Sequence, residues 1–567
     1  MRKITLYGVL ILSLFGLAGS ILSSTPLPAQ AANSQPWLFA IQIRSQADLE
    51  RFNTLDIPLL GSTYTRDGAY QLFAHLDSSA QKQLARMHLS FQFLDESHPQ
   101  ALYFLVSTPS PERVSQAAQI APVLWQDGHQ AVLRATPGQV DKLSQLGFSL
   151  RQIGLTIPIT QSLSFPLPAS LNHQTAVIAP SGLVQSFIDQ VQSDRLHTLV
   201  GDLSGEWPVQ IGESLTTIPT RFSLTTTPIA SAVQYTVERL EALDLDVSTH
   251  SYTLPGTGTR QNVIAEQPGL WDPEQIFIIS AHLDSTSEDP YKSAPGADDN
   301  ASGSAGVLAI AEILSQVQFG CTIRYALFTG EEQGLVGSSY YARDIYQTGD
   351  EIQGVLNLDM IAYDGVYLPA LELHTRPGDP DDLAIADRFA QIVDTYQLEL
   401  LPVILQSGMQ YSDHASFWDY GYPAILAIED GSDFTPYYHS TQDKLSTLNM
   451  DYFTDFVKAA LGTLMHSSCL PAEIVGLVTH LPEGEPAAGV QITALSQFGE
   501  TWQTFSLADG SYQLFLPGGI YTLSAVARGV APAIIPDIRA VAGEILLMDF
   551  SLTRTPLLEI FLPLIGR

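Results

Sequence analysis

The stretch Ile276-Phe277-Ile278-Ile279-Ser280-Ala281-His282-Leu283-Asp284 is an apolar run that ends in a histidine and an acid. A short continuous run of this kind, bounded by turn residues, reads as a buried strand. Beyond it, Ala294-Pro295-Gly296-Ala297-Asp298-Asp299-Asn300-Ala301-Ser302-Gly303 opens a helix predicted over 303–316. The alternation continues with strand 323–329, helix 336–346, strand 355–359 and helix 381–395. Strands 399–404 and 424–428 then precede a closing helix, 450–466. Continuous apolar strands alternating with helices predict an α/β domain, with a mixed, largely parallel sheet covered by helices on both faces. Amphipathic helices near Val184–Val191 and over 230–243 lead into it, so the domain is placed at 183–468.

Outward from this core the texture changes. After Cys469, short alternating strands punctuated by turns such as Asp509-Gly510 predict a β-sandwich over 470–554. On the amino-terminal side, 32–163 reads as an α+β tandem repeat. Gln71-Leu72-Phe73-Ala74 through Phe91 matches Gln130-Ala131-Val132-Leu133 through Leu150 at constant offset. Each copy is read as strand, helix, strand, helix, strand, with first strands at Leu38–Ile43 and Leu102–Val106. The repeat has no clustered ligand residues and reads as a folding or docking module. A Pro- and Ser-bearing linker is placed at 164–182, and an apolar tail, an edge strand or a surface-retention segment, at 555–567.

The first residues carry a basic start, Arg2-Lys3, an apolar run from Ile4 to Leu22 and a small-x-small site, Ala29-Gln30-Ala31. That is the pattern of a signal peptide, placed at 1–31 and cleaved after Ala31. The run approaches the ~20 residues of a membrane anchor, but the cleavage site favours removal. No later run is long enough to span a bilayer, so the mature chain is expected to be secreted or cell-surface associated, without a stable membrane span. Among 567 residues, 26 Lys plus Arg face 59 Asp plus Glu, a formal net charge of −33. Such a chain repels phosphate backbones, and no nucleic-acid partner is expected. Two cysteines are too few for a disulfide scaffold or a thiolate zinc site. In an exported chain, Cys321 and Cys469, at the edge of the domain, are expected to pair with each other.

Ligands of an open α/β sheet gather beyond the carboxyl ends of its strands. Those positions hold His282 and Asp284, the Asp298-Asp299-Asn300 loop, Glu331-Glu332 and Asp359, and late in the domain His439. Each alone has a plainer reading, as a helix cap, a solvated acid pair or a surface histidine. Together, two histidines and several carboxylates facing one crevice form the N/O donor mixture that zinc takes. Met360, Phe434, Tyr437 and Tyr438 adjoin these positions and could line an apolar substrate pocket or simply pack in the core.

These motifs resemble one family. His282-Leu283-Asp284, the Gly-Ala-Asp-Asp-Asn-Ala-Ser-Gly loop and Gly330-Glu331-Glu332-Gln333-Gly334 carry the likeness, with Asn357-Leu358-Asp359-Met360, Ser412-Asp413-His414 and Tyr438 to Asp443. They are similar to the dinuclear-zinc exopeptidases of the bacterial leucyl aminopeptidase and aminopeptidase Y type. The resemblance implies a zinc exopeptidase-like fold and two zinc ions (Zn2+) per chain. His282 and Asp359 would hold one ion, Glu332 and His439 the other, and Asp299 would bridge them. Glu331 would be the general base, and Asp284 would hold the second ring nitrogen of His282. A cis peptide bond between Asp299 and Asn300 is also implied. The family often has a cysteine pair flanking a tyrosine near the Ser-Asp-His loop; here Ser407, Met409 and Tyr411 stand there, leaving Tyr411 as either the candidate oxyanion donor or a residue of simple loop packing. The terminal sandwich resembles the carboxypeptidase regulatory-like domain.

The expected activity is removal of residues from peptide or protein N-termini. The rivals are a carboxypeptidase, which would need a cation such as Arg324 or Arg376 near the site, and a glutaminyl cyclase. A non-catalytic receptor-like protein is a third, although such a chain should have lost ligands. The absence of H-E-x-x-H and of G-x-S-x-G excludes the common single-zinc helix and the serine-hydrolase elbow.

Overall fold

The computed structural model describes residues 37–96, 101–108, 110–155, 178–366, 368–482 and 484–553. The signal peptide at 1–31, most of the 164–182 linker and the 555–567 tail, as expected from the sequence, lie outside the described residues.

The central sheet has eight strands: β1 (Asp246–Leu254), β2 (Gly258–Gln267), β3 (Asp272–His282), β4 (Cys321–Phe328), β5 (Glu351–Leu358), β6 (Ala370–His374), β7 (Leu401–Leu405) and β8 (Ala424–Glu429). Their spatial order is β1-β2-β4-β3-β5-β8-β6-β7. The β3–β4, β3–β5, β5–β8 and β6–β7 pairs are parallel, whereas β1–β2, β2–β4 and β6–β8 are antiparallel. The sheet is therefore mixed with a parallel centre. Successive residues of one strand enter different cores: Ile279 and Leu327 pack with the helices Gly303–Leu314 and Met450–Ser467, while Ile278 and Ala326 pack with Val336–Thr348 and Trp418 on the other face. Burial on both faces is why these strands read as unbroken apolar runs.

Three strands escape the sequence expectation. The hairpin β1–β2 lies at the sheet edge, and β1 is largely solvent-facing and polar; β6 has five residues.

Because β3, β4 and β5 run parallel and in near register, their carboxyl ends, at His282, Phe328 and Leu358, come together. The helix Gly303–Leu314 starts hard against one of these ends. A Cβ on Gly303 would lie 2.5 Å from the carbonyl oxygen of Leu358 and 2.4 Å from Asn300 Oδ1, so no larger residue fits. At the opposite end of the sheet Cys321, the first residue of β4, is disulfide-bonded to Cys469, with Cα atoms 5.3 Å apart.

The amino-terminal module is two four-stranded antiparallel sheets of identical order. In the first, Leu59–Tyr64, Tyr70–Leu76, Trp37–Ile43 and Ser90–Asp95 lie side by side; in the second, Val123–Asp127, Gln130–Ala135, Leu102–Ser107 and Ser149–Ile153 do. Each copy is thus β-α-β-β-α-β, the split βαβ arrangement. The expected five-element copy is corrected by one strand, because Leu59–Tyr64 and Val123–Asp127 form hairpins with the strand that follows. Beyond Cys469, nine strands among the described residues form two sheets around a separate core that includes Ile474, Ile492 and Leu523. The strands include Thr501–Phe505 and Ala533–Ala540, and Ile545–Leu547 and Phe550–Thr553 are separate short strands.

Candidate metal centre

The loop after β3 is held by groups distant in sequence. Asp443 accepts the backbone N–H of Asp298 at 2.9 Å and of Asp299 at 3.0 Å. Asn300 Nδ2 donates to Leu358 O at 2.9 Å, and Asn300 Oδ1 accepts from Gly303 N at 2.8 Å. The Asp299–Asn300 peptide bond is cis, as the resemblance implies. Arg221, fully buried, donates to the carbonyls of Leu203, Leu283, Pro295 and Gly296 at 2.6–2.8 Å, stitching both ends of that loop to the start of the domain.

These contacts place Asp299 between two histidines. Its Oδ1 lies 3.2 Å from His282 Nε2 and its Oδ2 3.2 Å from His439 Nε2. His282 Nε2 also lies 3.2 Å from Asp359 Oδ1, and His439 Nε2 3.1 Å from Glu332 Oε2. All five expected ligand residues therefore converge, and Glu331 joins them: one oxygen of it, one of Asp359 and a nitrogen of His282 lie within 4.8 Å of one another. This donor set fits borderline-soft divalent ions. So does the buried Glu332 Oε1, which among the described residues has no hydrogen-bond partner, since an unpaired buried carboxylate oxygen is costly unless something positive meets it.

The supporting contacts differ in one respect from the sequence expectation. His282 Nδ1 is 3.1 Å from the backbone carbonyl of Asp284, while the Asp284 carboxylate is 3.8 Å away. The carboxylate instead accepts from Ser223 Oγ at 2.9 Å and from the backbone N–H of Glu331 at 3.3 Å. A strand-end residue two positions on can reach the ring with either group, and here the main chain does so. His439 Nδ1 has its partner in the amino-terminal module, the carbonyl oxygen of Ser144, at 2.8 Å.

The cluster is strongly electronegative. Burial opposes charging of His282 and His439, yet Asp359 beside the first and Glu332 beside the second hold both well above the usual histidine range. Burial likewise opposes ionisation of Asp299, but its hydrogen bonds with the two histidines hold it below the usual carboxylate range. Burial raises Glu331 well above an ordinary glutamate, helped by Glu332 and Asp359. Burial also lowers Arg221, to about 10, so it stays charged at neutral pH among these acids.

A cavity of about 750 Å³ opens onto the cluster, and Met360, Tyr411, Phe434 and Tyr438 all line it. Tyr438 stacks on His439, ring centroids 3.7 Å apart. Burial pushes the Tyr411 phenol upward, so it keeps its proton. Arg324 and Arg376 are elsewhere, the first paired with Glu266 and Asp350, the second with Asp382. Sequence reasoning missed Arg221 and every contribution of the amino-terminal module. Asp443, quoted there only as part of a motif, was given no role; its place four residues after His439 was the available signal.

A mixed α/β sheet with this carboxylate–histidine cluster at its strand ends is the architecture of a zinc exopeptidase. Residues 262–464 match the model of peptidase family M28, and residues 473–553 match the carboxypeptidase regulatory-like domain. The chain is 27% identical over 352 residues to a probable zinc metalloprotease of Pyrenophora tritici-repentis, covering 52% of this chain and 72% of that protein. It is 33% identical over 214 residues to leucine aminopeptidase 1 of Trichophyton rubrum, covering 36% and 57%. The crystal structure of the LapA aminopeptidase of Legionella pneumophila shares the fold, with a TM-score of 0.52 at 20% identity, covering 66% of this chain and 99% of that one. Residues 262–464 are therefore a domain of the M28 peptidase type, and the chain carries a zinc metallopeptidase domain of that kind.

Proposed function

We propose that this protein is a secreted aminopeptidase that hydrolyses the first bond of peptides with two zinc ions and Glu331 as general base. The observation that carries the reading is the bridging position of Asp299, 3.2 Å from each histidine. His282 with Asp359 would hold one ion and Glu332 with His439 the other. When bound, the ions supply Lewis acidity that polarises the scissile carbonyl and makes an attacking water more acidic. Glu331, with its raised proton affinity, accepts a proton from that water and delivers it to the departing amine. Asp284 steadies the base through the Glu331 N–H. Tyr411, protonated and in the cavity wall, donates to the developing oxyanion.

The basic start, apolar run and Ala29-Gln30-Ala31 site support export; recovery from the culture medium of a chain beginning at Ala32 would test it. The enzymatic reading is tested by hydrolysis of aminoacyl-p-nitroanilides by the full protein, with chelator and with zinc added back. The expected result is chelator-sensitive activity restored at two zinc ions per chain, and loss of both ions in Asp299→Ala. Hydrolysis of only N-blocked peptides from the carboxyl end would show a carboxypeptidase instead, and cyclisation of N-terminal glutamine a cyclase.

A further inference from the structure

The tandem amino-terminal module forms one wall of the same cavity. Ser107, Arg113, Leu146 and Gly147 line it together with His282, Asp299 and Glu331. The wall is fixed in place. Beside the Ser144–His439 bond, Gln152 N donates to Gly334 O at 2.9 Å across the interface. The buried Arg151 binds Gln410 and Asp419 of the peptidase domain, and Tyr411 packs against the core shared by the two sheets of the module. A module tied by main-chain bonds to the loop after Glu331 and to a ligand histidine is part of the site's construction.

That wall carries a charge of the opposite sign. Arg113 is the one arginine or lysine among the residues lining the cavity, whose acids, Asp299, Glu331 and Asp359, belong to the metal cluster. Its guanidinium is oriented by a hydrogen bond to the Leu146 carbonyl and by the Phe148 ring, whose centroid is 4.7 Å away. Among the described residues it forms no ion pair with a carboxylate, which leaves donors of a planar cation available. An oriented guanidinium recognises carboxylates well, through paired charge-assisted hydrogen bonds. The cavity's volume, about 750 Å³, lies within the range of small-ligand pockets.

We propose that Arg113 receives the free α-carboxylate of a short peptide whose amino end lies at the metal cluster. The substrates would then be di- and tripeptides with both termini free. This rests on the aminopeptidase reading for which end is cleaved, but the role of Arg113 can be measured without turnover.

The test compares the full-length wild type with Arg113→Gln and Arg113→Lys on Leu-Gly, Leu-Gly-Gly, their carboxyl-terminal amides and a leucine-headed decapeptide. In the wild type kcat/KM should favour the free acids over the amides by about 10- to 100-fold, the range of a charge-assisted hydrogen bond. The preference should collapse in Arg113→Gln, mainly through KM, and return in part in Arg113→Lys. Calorimetric binding of the acid and amide dipeptides to zinc-loaded Glu331→Gln, with and without Arg113→Gln, gives the same ratio independently of chemistry. A binding preference that depends on Arg113 in a protein without aminopeptidase activity would uphold the carboxylate site and overturn the assigned reaction. Aminopeptidase activity with equal rates on acids and amides, a ratio unmoved by Arg113→Gln, or decapeptide cleavage as efficient as that of the tripeptide would overturn the inference.

Discussion

The hydroxyl of Ser412 donates to Oδ2 of Asp359 at 2.6 Å, while Asn357 Nδ2 donates to Ser412 Oγ at 2.8 Å. The outer oxygen of Asp359 is thereby satisfied by a side chain from another loop, and Oδ1 is the one turned to His282. Partners of this kind set ligand orientation, and their loss typically weakens metal binding by ~10–100-fold. Ser412→Ala should keep the fold and lower zinc affinity by about that factor. Competition against a chelator of known affinity measures it; unchanged affinity would show that the contact does not hold Asp359.

Glu331→Gln should separate metal binding from chemistry. The amide keeps the shape of the side chain but cannot take up a proton, so turnover should fall by about 10²–10⁴-fold, the usual contribution of a positioned base. Zinc content, read by elemental analysis, should stay at the wild-type value. Near-normal turnover would remove Glu331 from the role of base.

The Cys321–Cys469 bond closes a loop of sequence separation 148. In the chain-entropy model, a loop of that size limits the unfolded ensemble enough to stabilise by about 5 kcal/mol, less any native strain. The double variant Cys321→Ser/Cys469→Ser should therefore unfold at clearly lower urea concentration than the oxidised wild type. Coincident unfolding curves would mean that the bond contributes nothing measurable.

His466 is expected to make stability depend on pH. Burial, reinforced by the charge of Arg388, lowers its pKa to about 4, against ~6.5 for an exposed histidine. Neutral His466 accepts the Tyr396 hydroxyl at 2.9 Å, and that hydroxyl in turn accepts Ser181 N at 3.1 Å. Between these two pKa values the unfolded chain holds the extra proton, so acidification favours unfolding. The contribution of this site is present in full above about pH 6.5 and is lost progressively down to about pH 4. His466→Gln, which keeps an acceptor but does not titrate, should flatten the fall of urea midpoint over that window. An unaltered slope would assign the acid sensitivity to other groups.

What the sequence discloses depends on how local the physics is. Ile276–Ala281 and Val355–Leu358 are legible because both faces of a central parallel strand are buried, which leaves an apolar run. The hairpin of Asp246–Leu254 and Gly258–Gln267 is not, since an edge strand such as Thr249-His250-Ser251 has no such demand on it. Leu59–Tyr64 is obscured by Gly61, present because a Cβ there would come within 2.5 Å of Ile153 Cγ2. At the site, the candidate ligands are legible because acids and histidines cluster at strand ends. Asp284 is legible as a neighbour of His282 but not in its function, because carboxylate and carbonyl are equally in reach by spacing. Ser144 meets His439 across 295 positions, and Arg113 enters the cavity only once the repeat has docked; neither leaves a local trace.

The disulfide also divides the proposed ligand set. Glu332, Asp359 and His439 fall inside the span from Cys321 to Cys469, whereas His282 and Asp299 fall before it. Within that span the backbone is a covalent ring. A single proteolytic nick anywhere in it, for instance in the surface loop between β5 and β6, produces two backbone segments but still one molecule. All the ligands remain attached, and one that stays on the far side of the cut is tethered through sulfur rather than through the peptide chain.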